Sequence, residues 1–143
     1  MNRLGVWSEA YDINDSGMAV GYFLSSASLN TSYGKYHAAL WNGTTVTDLG
    51  TFGNQSWACG INNAGQVVGF DASHATLWNG STAINLGALW GHSSSAYDIN
   101  EIGQVVGSSS TLGNTATHAT LWQNGSIADL GTLGGTYSAA QAH

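Results

Sequence analysis

The sequence predicts an all-β fold assembled from three copies of one four-stranded antiparallel module. Three observations lead there: a motif recurring in phase along the chain, tight-turn signals at fixed places in each copy, and a composition poor in helix formers. The motif opens as Ala10-Tyr11-Asp12-Ile13-Asn14, followed by Gly17 and Val20-Gly21. It returns as Ala58-Cys59-Gly60-Ile61-Asn62, Gly65 and Val67-Val68-Gly69, then as Ala96-Tyr97-Asp98-Ile99-Asn100, Gly103 and Val105-Val106-Gly107. Downstream of each copy stands His-Ala-x-Leu-Trp, at His37 to Trp41, His74 to Trp78 and His118 to Trp122. Each copy closes on Asp48-Leu49-Gly50, Asn85-Leu86-Gly87 or Asp129-Leu130-Gly131.

Within a copy the elements follow in order. Strand a is Tyr-Asp-Ile-Asn, and Asn-x-x-Gly turns the chain, glycine supplying the positive φ that a tight turn needs. Strand b is Gln66-Val67-Val68-Gly69 and its equivalents. Strand c is His-Ala-x-Leu-Trp, whose alternation puts Ala75 and Leu77 on one face and His74, Thr76 and Trp78 on the other. Asn42-Gly43 and Asn79-Gly80 signal a short hairpin, with Asn124-Gly125 displaced by one residue in the third copy. Strand d is Val46-Thr47-Asp48-Leu49 or Ile127-Ala128-Asp129-Leu130.

Spacing separates the rigid parts from the variable ones. Trp41 to Asp48, Trp78 to Asn85 and Trp122 to Asp129 are each seven positions. Gly21 to His37, Gly69 to His74 and Gly107 to His118 are 16, 5 and 11 positions, so the length variation sits in the b–c loop. The whole of 1–143 reads as one repeat domain: repeat 1 about 9–54, repeat 2 about 55–92 and repeat 3 about 93–135, with 1–8 and 136–143 as inter-repeat connections. Four strands in about 44 residues is the size of a β-propeller blade. Three blades are too few to close a propeller, so the expected assembly is half of a six-bladed ring completed by dimerisation. A β-trefoil and an open repeat filament are the alternatives.

Composition narrows function. Apolar residues make up 43% of the chain and charged residues only 7%, with 20 Gly and no Pro. Two basic residues, Arg3 and Lys35, against eight acidic ones exclude a phosphate-binding patch, hence nucleic acid and an anionic membrane surface as partners. No apolar run reaches the roughly 20 residues of a membrane span, and Met1 to Gly5 lacks a signal-peptide core. Cys59 is the single cysteine and takes the slot of Tyr11 and Tyr97, which reads as a packed thiol and not a nucleophile.

Ile-Asn-x-x-Gly-x-Val-Val-Gly, followed by His-Ala-x-Leu-Trp and Asp-Leu-Gly-Thr-Leu-Gly-Gly, resembles the HAF-type repeat of predicted extracellular bacterial proteins. The resemblance covers nearly the whole chain, although Ala39, Thr76 and Thr120 replace the aromatic residue that gives the family its name. It implies a secreted or cell-surface repeat protein and transfers no catalytic residue. No enzyme activity, cofactor or metal is expected.

Several constellations have plainer readings. Asp12, Asn14, Ser16 and Gly17 match the start of a calcium loop, but Phe23 stands where the bidentate Glu belongs, and a hairpin turn fits better. His37, His74 and His118 are equivalent and are expected to pack between modules on a neighbouring backbone, not to gather a metal. Trp41, Trp78 and Trp122 recur with the framework and read as inter-module packing. The Asn-x-Ser/Thr triplets at Asn30, Asn42, Asn54, Asn79 and Asn124 reflect turn composition.

The up-and-down order places a–b and c–d turns at one end of a module and the b–c loop with the d–a connection at the other. The second end collects Tyr33, Tyr36, Phe52, Trp57, Trp90, His92 and Tyr137 as candidate ligand-binding residues. Aromatic rings among Ser, Thr and Asn suit sugars, which makes carbohydrate the expected ligand if the chain is a lectin-like module. The first-ranked function is a self-assembling structural or surface scaffold whose partner is a further copy of itself.

Overall fold

The computed structural model describes residues 8–25, 35–50, 55–80, 82–89, 91–111, 113 and 116–131. Module 1 contains β1 (Ser8–Ile13), β2 (Ala19–Ser25), β3 (Lys35–Asn42) and β4 (Thr45–Gly50). Module 2 contains β5 (Ser56–Ile61), β6 (Val67–Asp71), β7 (His74–Asn79) and β8 (Thr82–Asn85). Module 3 contains β9 (Ser94–Ile99), β10 (Val105–Ser110), β11 (Thr117–Gln123) and β12 (Ser126–Gly131). Each module is one open four-stranded antiparallel meander, its strands ordered as in the chain. None of the three sheets closes into a barrel, so the trefoil alternative, which shares a closed barrel among its repeats, does not describe the described residues. No helix among them is long and apolar enough to cross a membrane.

Strand a starts earlier than its motif predicts and ends before the asparagine. Asn14, Asn62 and Asn100 lie in the turn, where the side-chain oxygen accepts from the backbone N–H of Met18, Gln66 and Gln104 at 2.9–3.0 Å. The turn closes with Gly17 N–H to Asn14 O at 3.0 Å, and Gly17, Gly65 and Gly103 take φ of 84°, 86° and 91°. Asparagine is therefore needed for its side-chain acceptor, and glycine for the left-handed backbone that follows.

A β-bulge interrupts every a–b pair. The register runs Ala10 to Gly21 and then Asp12 to Val20, skipping Tyr11; Cys59 and Tyr97 are skipped in the same way. The extra residue bends strand a and brings its backbone onto Gly21, Gly69 or Gly107 of strand b. This explains the closing glycine of Val-Val-Gly, a matter of space between two backbones.

The sheets stack in chain order, β5 against β2 and β3, and β9 against β6 and β7. Alternation along strand b feeds both interfaces. Val67 faces module 1 with Ile61 and Trp78, meeting Val20 and Ala38, while Val68 faces module 3, meeting Ala96, Ile99 and Trp122. Full burial of each such valine contributes about 1.5–3 kcal/mol. Trp78 and Trp122 are thus inter-module residues, as their recurrence predicts, whereas Trp41, expected to pack likewise, is half-buried and outside both interface cores.

Polar groups repeat across both interfaces. Ser56 Oγ accepts from Ala38 N–H at 2.8 Å and donates to Gly50 O at 2.6 Å, and Ser94 Oγ accepts from Ala75 N–H at 2.9 Å. Asn14 Nδ2 donates to Asn62 O, and Asn62 Nδ2 to Asn100 O, both at 3.1 Å. These bonds satisfy groups that the apolar interface removes from water, and they fix the lateral register of sheet on sheet.

Candidate functional site

The end of the modules that carries the b–c loops and d–a connections holds a row of aromatic rings across two sheets. Tyr11, Tyr22, Tyr36, Trp57 and Phe70 follow one another with centroid separations of 5.8, 5.0, 5.7 and 5.0 Å. Tyr22 sits on β2 and Tyr36 is the second residue of β3; Trp57 is the second residue of β5 and pairs directly with Phe70 on β6. The Tyr36–Trp57 contact crosses from module 1 to module 2, and Tyr36 N–H also donates to Gln55 Oε1 at 3.1 Å. Desolvation, and then the Glu9 carboxylate beside them, raises the hydroxyl pKa of Tyr11 and Tyr22, so both stay neutral donors at neutral pH.

Of the candidate residues read from the sequence, the row brings together Tyr36 and Trp57. His92 is exposed in the connection between β8 and β9, a different connection from the one that leads into Trp57. Tyr33, Phe52, Trp90 and Tyr137 lie outside the described residues. Sequence reasoning missed Tyr11, Tyr22 and Phe70. For Tyr22 and Phe70 the signal was there: both directly follow the strand b glycine, in period-2 continuation of Val20 and Val68.

The row stops at module 3. Ser95 and Ser108 stand where Trp57 and Phe70 stand in module 2, and Tyr97 Oη meets Ser108 Oγ at 3.4 Å. There the connection ahead of β9 is held by serine hydroxyls, with Leu89 N–H donating to Ser109 Oγ at 2.6 Å and Ser93 N–H to Ser110 Oγ at 3.0 Å. The module folds without the aromatic row, so the row is a property of modules 1 and 2 and not a requirement of the architecture. Its geometry limits its chemistry, however. Tyr22 and Tyr36 stack at an interplanar angle of 16°, and Trp57 and Phe70 at 28°, which covers the inner ring faces with one another. Tyr11, about half exposed at 51%, keeps the most open surface of the row.

The motif histidines are placed otherwise than expected. His37 and His118 bond within their own sheet, their Nδ1 atoms 2.9 Å from the carboxylates of Asp48 and Asp129. The physical reason is the fixed seven-residue Trp-to-Asp spacing, which sets the carboxylate on strand d beside the ring on strand c. The same carboxylates accept the N–H of Gly50 and Gly131 at 2.7 Å. In module 2, Asn85 Oδ1 accepts from Gly87 N–H at 2.8 Å, keeping the turn, while His74 is exposed. The turn is therefore the framework function of this position and the ion pair an addition to it. Among the described residues no group of three His, Cys, Asp or Glu side chains converges as a metal site would.

The hydrogen bond from His118 holds the Asp129 carboxyl below its ordinary value, against an opposing effect of desolvation and with help from the Gly131 N–H. A lowered folded value stabilises the fold above the unfolded carboxylate pKa of about 4, and that contribution is lost as pH falls through the folded value. Asp129→Asn, which copies module 2, is expected to retain the fold and flatten the acid limb of a melting-temperature profile. An unchanged acid limb would remove the pair from the stability of module 3. Cys59 is half-buried, and desolvation pushes its thiol up to about 12, which leaves it protonated and unreactive at neutral pH.

Comparison of the chain with protein-family models, with curated proteins and with solved structures finds no match.

Proposed function

We propose that the chain is a non-catalytic extracellular repeat protein that forms a structural or surface scaffold by associating with further copies of itself. Each sheet serves as a propeller blade in this reading, and two chains complete a six-bladed ring. The observation that carries it is the repeated interface: the same Val, Trp, Ser and Asn positions join module 1 to module 2 and module 2 to module 3. A module with two such faces is a stacking unit, and stacking units propagate until the ends are covered. The resemblance to HAF-type repeats supports the extracellular location. Light scattering on the purified chain is the test. A mass of two chains of 14.8 kDa fits the ring and an open series of masses fits the filament, whereas a single-chain mass at every concentration rejects self-assembly.

A lectin-like function is a second reading, favoured by the aromatic row that modules 1 and 2 carry beyond what the fold needs. The expected result is retention on a glycan array that Trp57→Ala reduces at least tenfold. No retention at high protein concentration ends this reading, and the mutual stacking of the rings places it second.

A further inference from the structure

The interfaces inside the chain identify what its two outer faces lack. Ile61 and Ile99 are 5% and 7% exposed where modules meet; Ile13, the same position in module 1, is 64% exposed. Val46 on β4 is 53% exposed on that outer face, and Trp41 is half-buried where Trp78 and Trp122 are 3% exposed. The opposite outer face mirrors this. Val106 is half-buried where Val20 and Val68 are fully buried, and Leu130 is 53% exposed where Leu49 and Leu86 pack on the interface cores. Each outer face therefore carries the apolar set whose counterpart lies on the other outer face, not on itself.

The polar ladder has the same direction. Asn62 is buried and spends its two Nδ2 hydrogens on Gln66 Oε1 at 2.8 Å and Asn100 O at 3.1 Å. Asn100 is exposed and repeats only the first of these bonds, to Gln104 Oε1 at 2.7 Å. One position on, Asp15 N–H donates to Asn63 Oδ1 at 2.8 Å and Asn63 N–H to Glu101 Oε1 at 3.0 Å. These bonds donate from one module to the next in chain order, while Asn63 Nδ2 to Asp15 Oδ2 at 2.8 Å and Ile61 N–H to Asp12 Oδ2 at 3.0 Å run back onto carboxylates of module 1. At the Asn14 and Asn100 positions, two copies of the first face meeting would oppose carbonyl to carbonyl, and two copies of the last face amide donor to amide donor.

We propose that two copies of this chain join head to tail, the outer face of module 3 in one seating on the outer face of module 1 in the other. This rests on the scaffold reading and specifies its interface. Val106, Leu121 and Leu130 meet Ile13, Trp41 and Val46, Asn100 Nδ2 donates to Asn14 O of the second copy, and Glu101 N–H to its Asp15 carboxylate. The contact is heterologous, so it closes into a ring where the rotation per module permits and otherwise continues as a filament.

Two complementary variants test it. Ile13→Glu with Val46→Glu blocks the first face, and Val106→Glu with Leu130→Glu blocks the last, with thermal melting verifying that each remains folded. Each variant alone is expected to have the mass of one chain, and an equimolar mixture the mass of two and no more, because one intact face of each kind remains. Where Glu is not tolerated, Ile13→Ser and Leu130→Ser make the same comparison. Self-pairing of either variant alone, without a mixed pair, overturns the head-to-tail assignment in favour of like faces meeting. Undiminished assembly of both variants overturns it by moving the contact elsewhere. A wild-type chain that stays single at every concentration rejects the scaffold reading itself, a distinguishable failure.

Discussion

Gly69→Ala is expected to cost about 4 kcal/mol, a large share of the roughly 5–15 kcal/mol that holds an ordinary domain folded. A Cβ at Gly69 falls inside contact distance of the Trp57 carbonyl oxygen and 2.9 Å from Ala58 Cα. Both are backbone atoms of the bulged strand, so no side-chain rotation relieves the overlap, and relief requires parting β5 from β6. Gly21 and Gly107 face the same obstruction from Glu9 and Ser95. The control is Gly80→Ala, where φ is 64° and none of the described residues comes within 4 Å of the added atom. That substitution carries only the left-handed backbone penalty of about 1 kcal/mol. Urea unfolding of the two variants checks the contrast, and equal midpoints would show that the bulge relaxes freely.

Trp122→Ala is expected to cost about 3–5 kcal/mol, since the indole is 3% exposed in the interface between modules 2 and 3 and its removal leaves a cavity between two sheets. A finer comparison isolates its polar part. Trp122 Nε1 donates to Gly87 O at 3.1 Å, whereas the equally buried Trp78 Nε1 has no partner among the described residues. At the equivalent place in module 1, Gly50 O accepts from Ser56 Oγ instead. Trp122→Phe is therefore expected to lose about 1 kcal/mol more than Trp78→Phe, which removes an unpaired N–H with the ring edge. Thermal melts of the two Phe variants decide it, and a larger loss for Trp78→Phe contradicts the argument.

Much of the fold is legible before any coordinate. Asn14, Gly17 and the equivalent pairs mark the a–b turn because the turn is closed by bonds that reach three or four positions along the chain. Asn79-Gly80 and Asn124-Gly125 mark the c–d hairpin, where Gly80, Asn124 and Gly125 all take positive φ. Ala75 and Leu77 against Trp78 follow from strand alternation alone, and they do face opposite interfaces. The aromatic site is half legible. Tyr36 and Trp57 are suggested by loop topology, but their partners Tyr22 and Phe70 belong to strand b and join through a contact between different sheets. His37 and His118 were misplaced for a related reason: strand-to-strand register, displaced by a bulge at Leu49 and Leu130, decides which strand d residue meets the ring.

What the amino-acid sequence by itself determined is the module: its strands, its turns, its two apolar faces and the position of its variable loop. These depend on interactions within a few residues or between neighbouring strands, and three copies in phase state them three times. The tertiary structure alone decided how modules meet. Which valine faces which neighbour, why Asn62 is buried while Asn100 is exposed, and why Ile13 and Leu130 stand open all depend on placing one sheet against another. That placement is set by side chains distant in sequence, and no local pattern encodes it.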